Sequence, residues 1–268
     1  QVTVLDAHMS MASTTWLTAM RGDVTSIMNT YRHDWGTLKI HTHESNLLQR
    51  AFLTASRDDS KGVVIPTNSR TKSRDYYTLA CEQFGANAVL LINGENSSSK
   101  DAQQAIHQLT KAENAGKALC EIFPNLKILI CSPSLATGID VQATVSGVFG
   151  VFLQQPWVNA CNIMQMMMRY RRADHRHMCI IGSNDIPTQK HDILRAWTEA
   201  VEYHRVRVAG TAWTANFKSY GIEAFDGIDT LITGFTALFE SETKLHQQGL
   251  KFFVEMSALD EGFSVEYT

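Results

Sequence analysis

Two short segments hold the side chains with the clearest chemical potential. In Ser132-Pro-Ser-Leu-Ala-Thr-Gly-Ile-Asp140 a series of hydroxyls leads into a Thr-Gly-x-Asp turn. Gly138 permits a tight turn or close approach to a ligand, and Asp140 offers a carboxylate to a ribose hydroxyl. Ser132, Ser134 and Thr137 offer hydroxyls to phosphodiester oxygens. In Gln165-Met-Met-Met-Arg-Tyr-Arg-Arg172 the polar residues Gln165, Arg169 and Arg172 fall at i, i+4 and i+7. On a helix that spacing is one face. Guanidinium forks grip phosphate oxygens bidentately and stay charged, so such arginines stabilise a transferring γ-phosphate. Brought to one edge of a sheet, the Gly/Asp turn and the arginine face would make half of a nucleoside-triphosphate site. Each segment also has a plain reading. Thr-Gly-x-Asp is common where strands enter loops, and arginines suit the C-terminal dipole of any helix. Met164, Met166, Met167 and Met168 read as core filler.

The elements that must position these residues are legible from Gly62 onward. Gly62-Val-Val-Ile-Pro66 reads as a buried strand, and Thr67-Asn-Ser69 caps a helix running to about Phe84. Ala88–Ile92, Leu126–Cys131, Gly147–Phe152 and Met178–Ile181 read as further apolar strands, the first closed by the Asn93-Gly94 turn. Helices are expected over Lys100–Ile122 and Trp157–Arg172. Strands alternating with helices imply crossover connections and a parallel sheet covered on both faces. Ligands of such sheets sit beyond the carboxyl ends of the strands, where Thr67–Ser69, Asn93, Ser132–Asp140 and the approach to Gln165 are all expected. Before this region, Val2–Leu5 reads as a short strand, 11–21 as a helix, and 24–60 as a short strand with a helix near Ser45–Ser56. Beyond Ile181, Pro187–Arg205 and Leu231–Gln248 read as helices and Phe252–Tyr267 as mixed, a mainly helical appendage.

Bulk properties narrow the class. The 268 residues, 44% hydrophobic and 19% charged, describe a globular chain able to bury a full core. No apolar run approaches the about 20 residues that span a bilayer, and no signal peptide is visible. The scattered Cys81, Cys120, Cys131, Cys161 and Cys179 lack CxxC spacing and read as free thiols of a reducing compartment. A net charge of −3 carries no global nucleic-acid signature. The start at Gln1, with a strand at once and no Met, reads as a piece of a longer chain.

In order, the strand, Thr-Gly-x-Asp, a second strand and Gln-x-x-x-Arg-x-x-Arg resemble motifs V and VI of the second RecA-like lobe of superfamily 2 helicases. Thr67-Asn-Ser69 after a strand resembles motif IV. The resemblance implies that Gly138 and Asp140 meet the nucleotide, that Arg169 and Arg172 reach its γ-phosphate with Gln165 bridging, and that Thr67, Asn68, Ser69, Ser132, Ser134 and Thr137 contact nucleic acid. The Val4-Leu-Asp-Ala-His8 segment and the form of motif V look like the replication-initiator branch, the herpesvirus-type origin-binding proteins and cyanobacterial plasmid replication proteins. His8 stands where that branch has a second Asp, and Pro133 and Thr137 where commoner helicases have Asp and Arg. The resemblance covers roughly residues 1–182. It implies 1–15 as the end of the first lobe, 16–60 as a linker region, 61–182 as the second lobe and 183–268 as an extension.

No G-x-x-x-x-G-K-[ST] and no Asp-Glu-x-[His/Asp] box occurs in the sequence. ATP and Mg²⁺ are therefore expected to bind mainly a first lobe lying outside this chain, and the chain alone is expected to be inactive. Expected partners are that lobe, single-stranded or origin DNA and replication proteins, in the cytoplasm, or the nucleus for a eukaryotic virus. Two other readings stay open: a catalytically inactive helicase-like lobe used as a nucleic-acid-binding or assembly module, and an unrelated α/β nucleotide-binding protein. His41-Thr-His43 and His175-x-His177-x-Cys179 have the alternation of one strand face, but no fourth ligand completes a metal site, and none is expected. The basic run Arg171–His177 could follow a phosphate backbone or be a solvated helix end. Trp157, Trp197 and Trp213 read as packing or base-stacking residues.

Overall fold

A computed structural model of the chain describes residues 34–132, 141–155, 158–182 and 249–268. The chain divides into two compact units, residues 1–31 with 186–249, and 32–185 with 250–268; the account below concerns the second. The expected strand at 2–5 and helices at 11–21, Pro187–Arg205 and Leu231–Gln248 lie outside the described residues.

The elements run β1 (Thr37–His41), α1 (Glu44–Ala55), β2 (Val63–Pro66), α2 (Arg70–Phe84), β3 (Val89–Ile92), α3 (Lys100–Thr110) and α4 (Leu119–Ile122). They continue with β4 (Ile128–Cys131), β5 (Val141–Val145), β6 (Gly147–Leu153), α5 (Ala160–Met168), β7 (Tyr170–Ala173), β8 (Arg176–Ile181), α6 (Leu250–Glu261) and β9 (Ser264–Tyr267). Seven strands form one sheet in the order β3-β4-β2-β6-β8-β1-β9. Every pairing in it is parallel. This is the α/β class expected of a RecA-like lobe. Its central strands are buried on both faces, which is why Val63–Pro66 and Ile128–Cys131 are uninterrupted apolar runs.

Two apolar layers cover the sheet. On one face α1 and α2 lay Leu47, Ala51, Tyr76 and Ala80 over Ile65, Ile130, Phe149 and Val151. On the other, α3, α5 and α6 lay Leu109, Ile163, Met167, Leu250 and Val254 over Leu38, Val64, Leu129 and Met178. Met164, Met166 and Met167 are buried there, as expected of filler. Gly150 makes room for one of them, since a Cβ on it would lie 2.5 Å from the Met167 sulfur.

Several boundaries are corrected. The helix expected over Lys100–Ile122 stops at Thr110. Lys111 turns extended and Gly116 takes φ +85°, so the following residues run beside β5 instead, Gly116 N–H donating to Gln142 O at 3.0 Å. Part of the expected linker, residues 37–55, is β1 and α1 of the sheet itself, and the expected helical extension ends in α6 and β9, which pairs with β1. This unit thus takes in residues before 61, runs to residue 185 and resumes at residue 250. The strand β5 was not expected, although Val-Gln-Ala-Thr-Val has the alternation of a half-buried strand and is buried in that pattern.

Candidate functional site

The parallel sheet places all carboxyl ends at one edge. Thr67–Ser69 follow β2, Asn93 follows β3 and Ser132 follows β4, so these residues gather where the sequence placed them. Backbone bonds tie them together: Thr67 N–H donates to Cys131 O at 2.9 Å, and Ser132 N–H to Ile92 O at 3.0 Å.

The side chains at this edge serve the fold. Asn68 forms a two-way clamp on Leu153, its Nδ2 donating to the carbonyl at 2.7 Å and its Oδ1 accepting from the N–H at 2.8 Å. Thr67 Oγ1 accepts from Ser69 N–H at 3.2 Å, and Ser69 Oγ caps α2 by accepting from Lys72 N–H at 3.3 Å. Asn93 is buried and its Oδ1 accepts from Glu95 N–H at 3.0 Å, closing the turn after β3. Thr67, Ser69 and Ser132 are buried as well. What this edge presents outward is charged: Arg70 and Arg74 on the first turns of α2, both ion-paired with Glu95.

The arginine face of Gln165, Arg169 and Arg172 does not form. Helix α5 ends at Met168, Arg169 is its C-cap, and Tyr170–Ala173 is the strand β7. The physical reason is Tyr170. Its ring is buried and its hydroxyl shares a hydrogen bond with the Cys131 thiol at 3.0 Å, while its backbone pairs with Val141 of β5. A buried aromatic beside an available strand outweighs one more helical turn.

Arg169 and Arg172 therefore part company. Arg169 is half-buried beside Cys131 and Tyr170, and burial lowers its pKa. Burial likewise pushes the Cys131 thiol up to about 11 and raises the Tyr170 phenol, while the nearby Arg169 charge pulls both the other way. Arg172 lies three residues further along an extended strand, paired with Thr144 and exposed, its guanidinium against the Gly116 backbone. That end of the β5–β7 ribbon adjoins the amino ends of β2, β6 and β8, as shown by Ser146 N–H donating to Gly62 O at 2.8 Å and Val148 N–H to His175 O at 2.9 Å. The expectation that Arg169 and Arg172 act side by side is thus corrected for Arg172, which β7 carries toward the amino ends of these strands. Gln165 sits mid-helix and half-buried.

One expected juxtaposition has a described anchor. Val141, which follows Asp140 directly in the chain, donates its N–H to Arg169 O at 3.2 Å. Ser134, Thr137, Gly138 and Asp140 themselves, and Trp157, lie outside the described residues.

The sequence reading missed the role of one residue and the meeting of two others. Arg176 is buried between the rings of Trp35 and Phe263, 5.2 and 5.8 Å from their centroids. Its Nη2 donates to Tyr170 O at 2.9 Å and Arg171 O at 3.0 Å, and burial lowers it to about 10. The basic run around it masked its inward position. His41 and His177, noted as possible ligands in separate motifs, meet each other, Nε2 to Nδ1 at 2.9 Å. Among the described residues no cluster of three His, Cys, Asp or Glu side chains could hold a metal, and no helix is long and apolar enough to cross a membrane.

Against known proteins, no family model matches this chain, and no curated protein matches it. Among solved structures it is similar to the C-terminal domain of the DEAD-box protein Dbp5, at 15% identity and a TM-score of 0.37, over 55% of this chain and 76% of that one.

Proposed function

We propose that this chain supplies the second lobe of an ATP-dependent nucleic-acid helicase of the replication-initiator or primase-helicase kind. ATP and Mg²⁺ bind mainly to a first lobe outside this sequence. Arg169 completes the site from across the cleft, with Gln165 in support, and Gly138 and Asp140 meet the nucleotide. Thr67, Asn68, Ser69, Ser132, Ser134 and Thr137 lie along the single-strand track. Thr67, Ser69 and Ser132 are buried and the Asn68 amide is held by Leu153, so strand contact there falls to backbone groups and to neighbouring Arg70 and Arg74.

The observation that carries this reading is the hydrogen bond between Val141 N–H and Arg169 O. It holds the chain at the end of the Thr-Gly-Ile-Asp segment against the first arginine of the Gln-x-x-x-Arg-x-x-Arg sequence. Half-burial strengthens the reading, because a partly desolvated guanidinium binds a phosphate more strongly than a solvated one.

The test is made in the protein carrying both lobes. Arg169→Ala is expected to lower nucleic-acid-stimulated ATP hydrolysis by roughly 10³-fold or more while nucleotide binding persists. Undiminished turnover in this variant sinks the assignment. Tight ATP binding by this chain alone, seen by calorimetry, would instead favour an unrelated nucleotide-binding protein.

A further inference from the structure

His41 and His177 occupy the seam between β1 and β8, on the face roofed by α1. The register sets Lys39 opposite His177 and His41 opposite Cys179, so the two imidazoles are diagonal neighbours. Both are buried, their rings 5.2 Å apart, and His177 also stacks on Phe149 at 4.9 Å. At 2.9 Å one ring must donate and the other accept, which suits a neutral pair with a single proton between them.

The surroundings oppose any added proton. Lys39 on β1, Arg50 on α1 and, for His177, His175 just before β8 contribute positive charge to the pair. The nearby carboxylate of Glu44 is already committed: Lys72 Nζ donates to it at 2.8 and 2.9 Å and the Tyr76 hydroxyl at 2.7 Å. The Cys179 thiol on β8, raised to about 11 by burial and by Glu44, stays neutral and offers no counter-charge. No acidic group is thus left to receive an imidazolium among these neighbours.

We propose that the His41–His177 contact is an acid-sensitive latch, and that protonating it releases β1, and β9 with it, from the β8 side of the sheet. The topology makes the release local. Among the described strands β1 pairs with β8 and β9, and β9 with β1 alone, so breaking one seam frees both strands. Burial, then the charges of His41, Arg50, His175 and Lys39, hold His177 down to about 3, and burial lowers His41 too. A released imidazole titrates near its ordinary 6.5. Below that pH the open state takes up a proton that the closed state refuses, so opening increases as pH falls from 6.5 towards 3. For His177 alone the opening equilibrium rises about 30-fold between pH 7.5 and 5.

Amide hydrogen exchange of the full chain, corrected for intrinsic exchange rates, reads this directly. Protection of the Leu38–His41 and Val265–Tyr267 amides should fall about 30-fold from pH 7.5 to pH 5, and stay below that of the β2 and β4 amides. The double variant His41→Leu with His177→Phe should lose this dependence. Unchanged β1 protection in the wild type, equal protection of β1 and β4 at both pH values, or the same fall in the double variant would overturn the latch. Should the double variant not fold, the imidazole carbon shifts of the wild type decide. A His177 ring that stays neutral to pH 4.5 upholds the proposal, and one that titrates near 6.5 overturns it.

Discussion

Arg176 shows how a charged side chain is held inside a parallel sheet by carbonyls and aromatic rings. Three carbonyls, of Tyr170, Arg171 and Ala173, receive its donors, and the faces of Trp35 and Phe263 flank its plane. Hydrogen bonds from a charged donor contribute about 1.5–3 kcal/mol, and a desolvated cation–π contact about 2 kcal/mol. Truncation would strand buried carbonyls and leave a gap between two aromatic rings. Arg176→Ala is expected to lower stability by about 3 kcal/mol or more in urea unfolding. Arg176→Lys should not restore it, since an ammonium has neither the fork nor the flat face. Recovery by Lys would reduce the site to a simple buried charge. The same comparison separates Arg176 from Arg169. The former is held by backbone carbonyls and aromatic rings of the fold, whereas Arg169 lies beside Cys131 and Val141, the described residues near the segment that the proposed nucleotide site requires.

At the scale of elements, local chemistry decided most starts and tertiary contact decided several ends. Ser69, Ser99 and Asn159 each cap a helix by accepting a backbone N–H within the first turn, and all three are polar residues typical of that position. Ser69→Ala is expected to cost about 1 kcal/mol, read as a shift in the urea midpoint without change of slope. A cost near zero would mean that the Thr67 and Asn68 contacts alone fix the entry to α2. Ends behave differently. α3 stops at Thr110, and the chain beyond it is captured by β5, Thr144 N–H donating to Lys117 O at 2.8 Å and Thr144 Oγ1 to Gly116 O at 3.0 Å. α5 stops where Tyr170 is captured by Val141 and Cys131. Neither capture is visible in a window of residues around the helix, because the capturing strand lies elsewhere in the chain.

Across the whole described unit, the sheet is closed by the two ends of its sequence. The last helix buries Leu250, Val254 and Ala258 against the α5 layer, Phe263 covers Arg176, and β9 extends the sheet beyond β1. Removing residues 249–268 should therefore abolish the cooperative thermal transition, measured by far-ultraviolet circular dichroism, where loss of a mere appendage would leave it intact. The sequence by itself determined the class. Continuous apolar runs such as Val63–Pro66 and Ile128–Cys131 read as strands buried on both faces, and the helices between strands imply parallel crossovers. It also determined the carboxyl edge, because Thr67–Ser69, Asn93 and Ser132 each follow their strand directly. Only the tertiary structure decided that β1 and β9 belong to the same sheet, with Thr37 paired to Ser264. It alone separated Arg172 from Arg169 and joined His41 to His177. The reason is common to all three: each depends on pairing between residues remote in sequence, and the local composition of a short polar or basic segment is compatible with helix, strand or loop until a partner selects one.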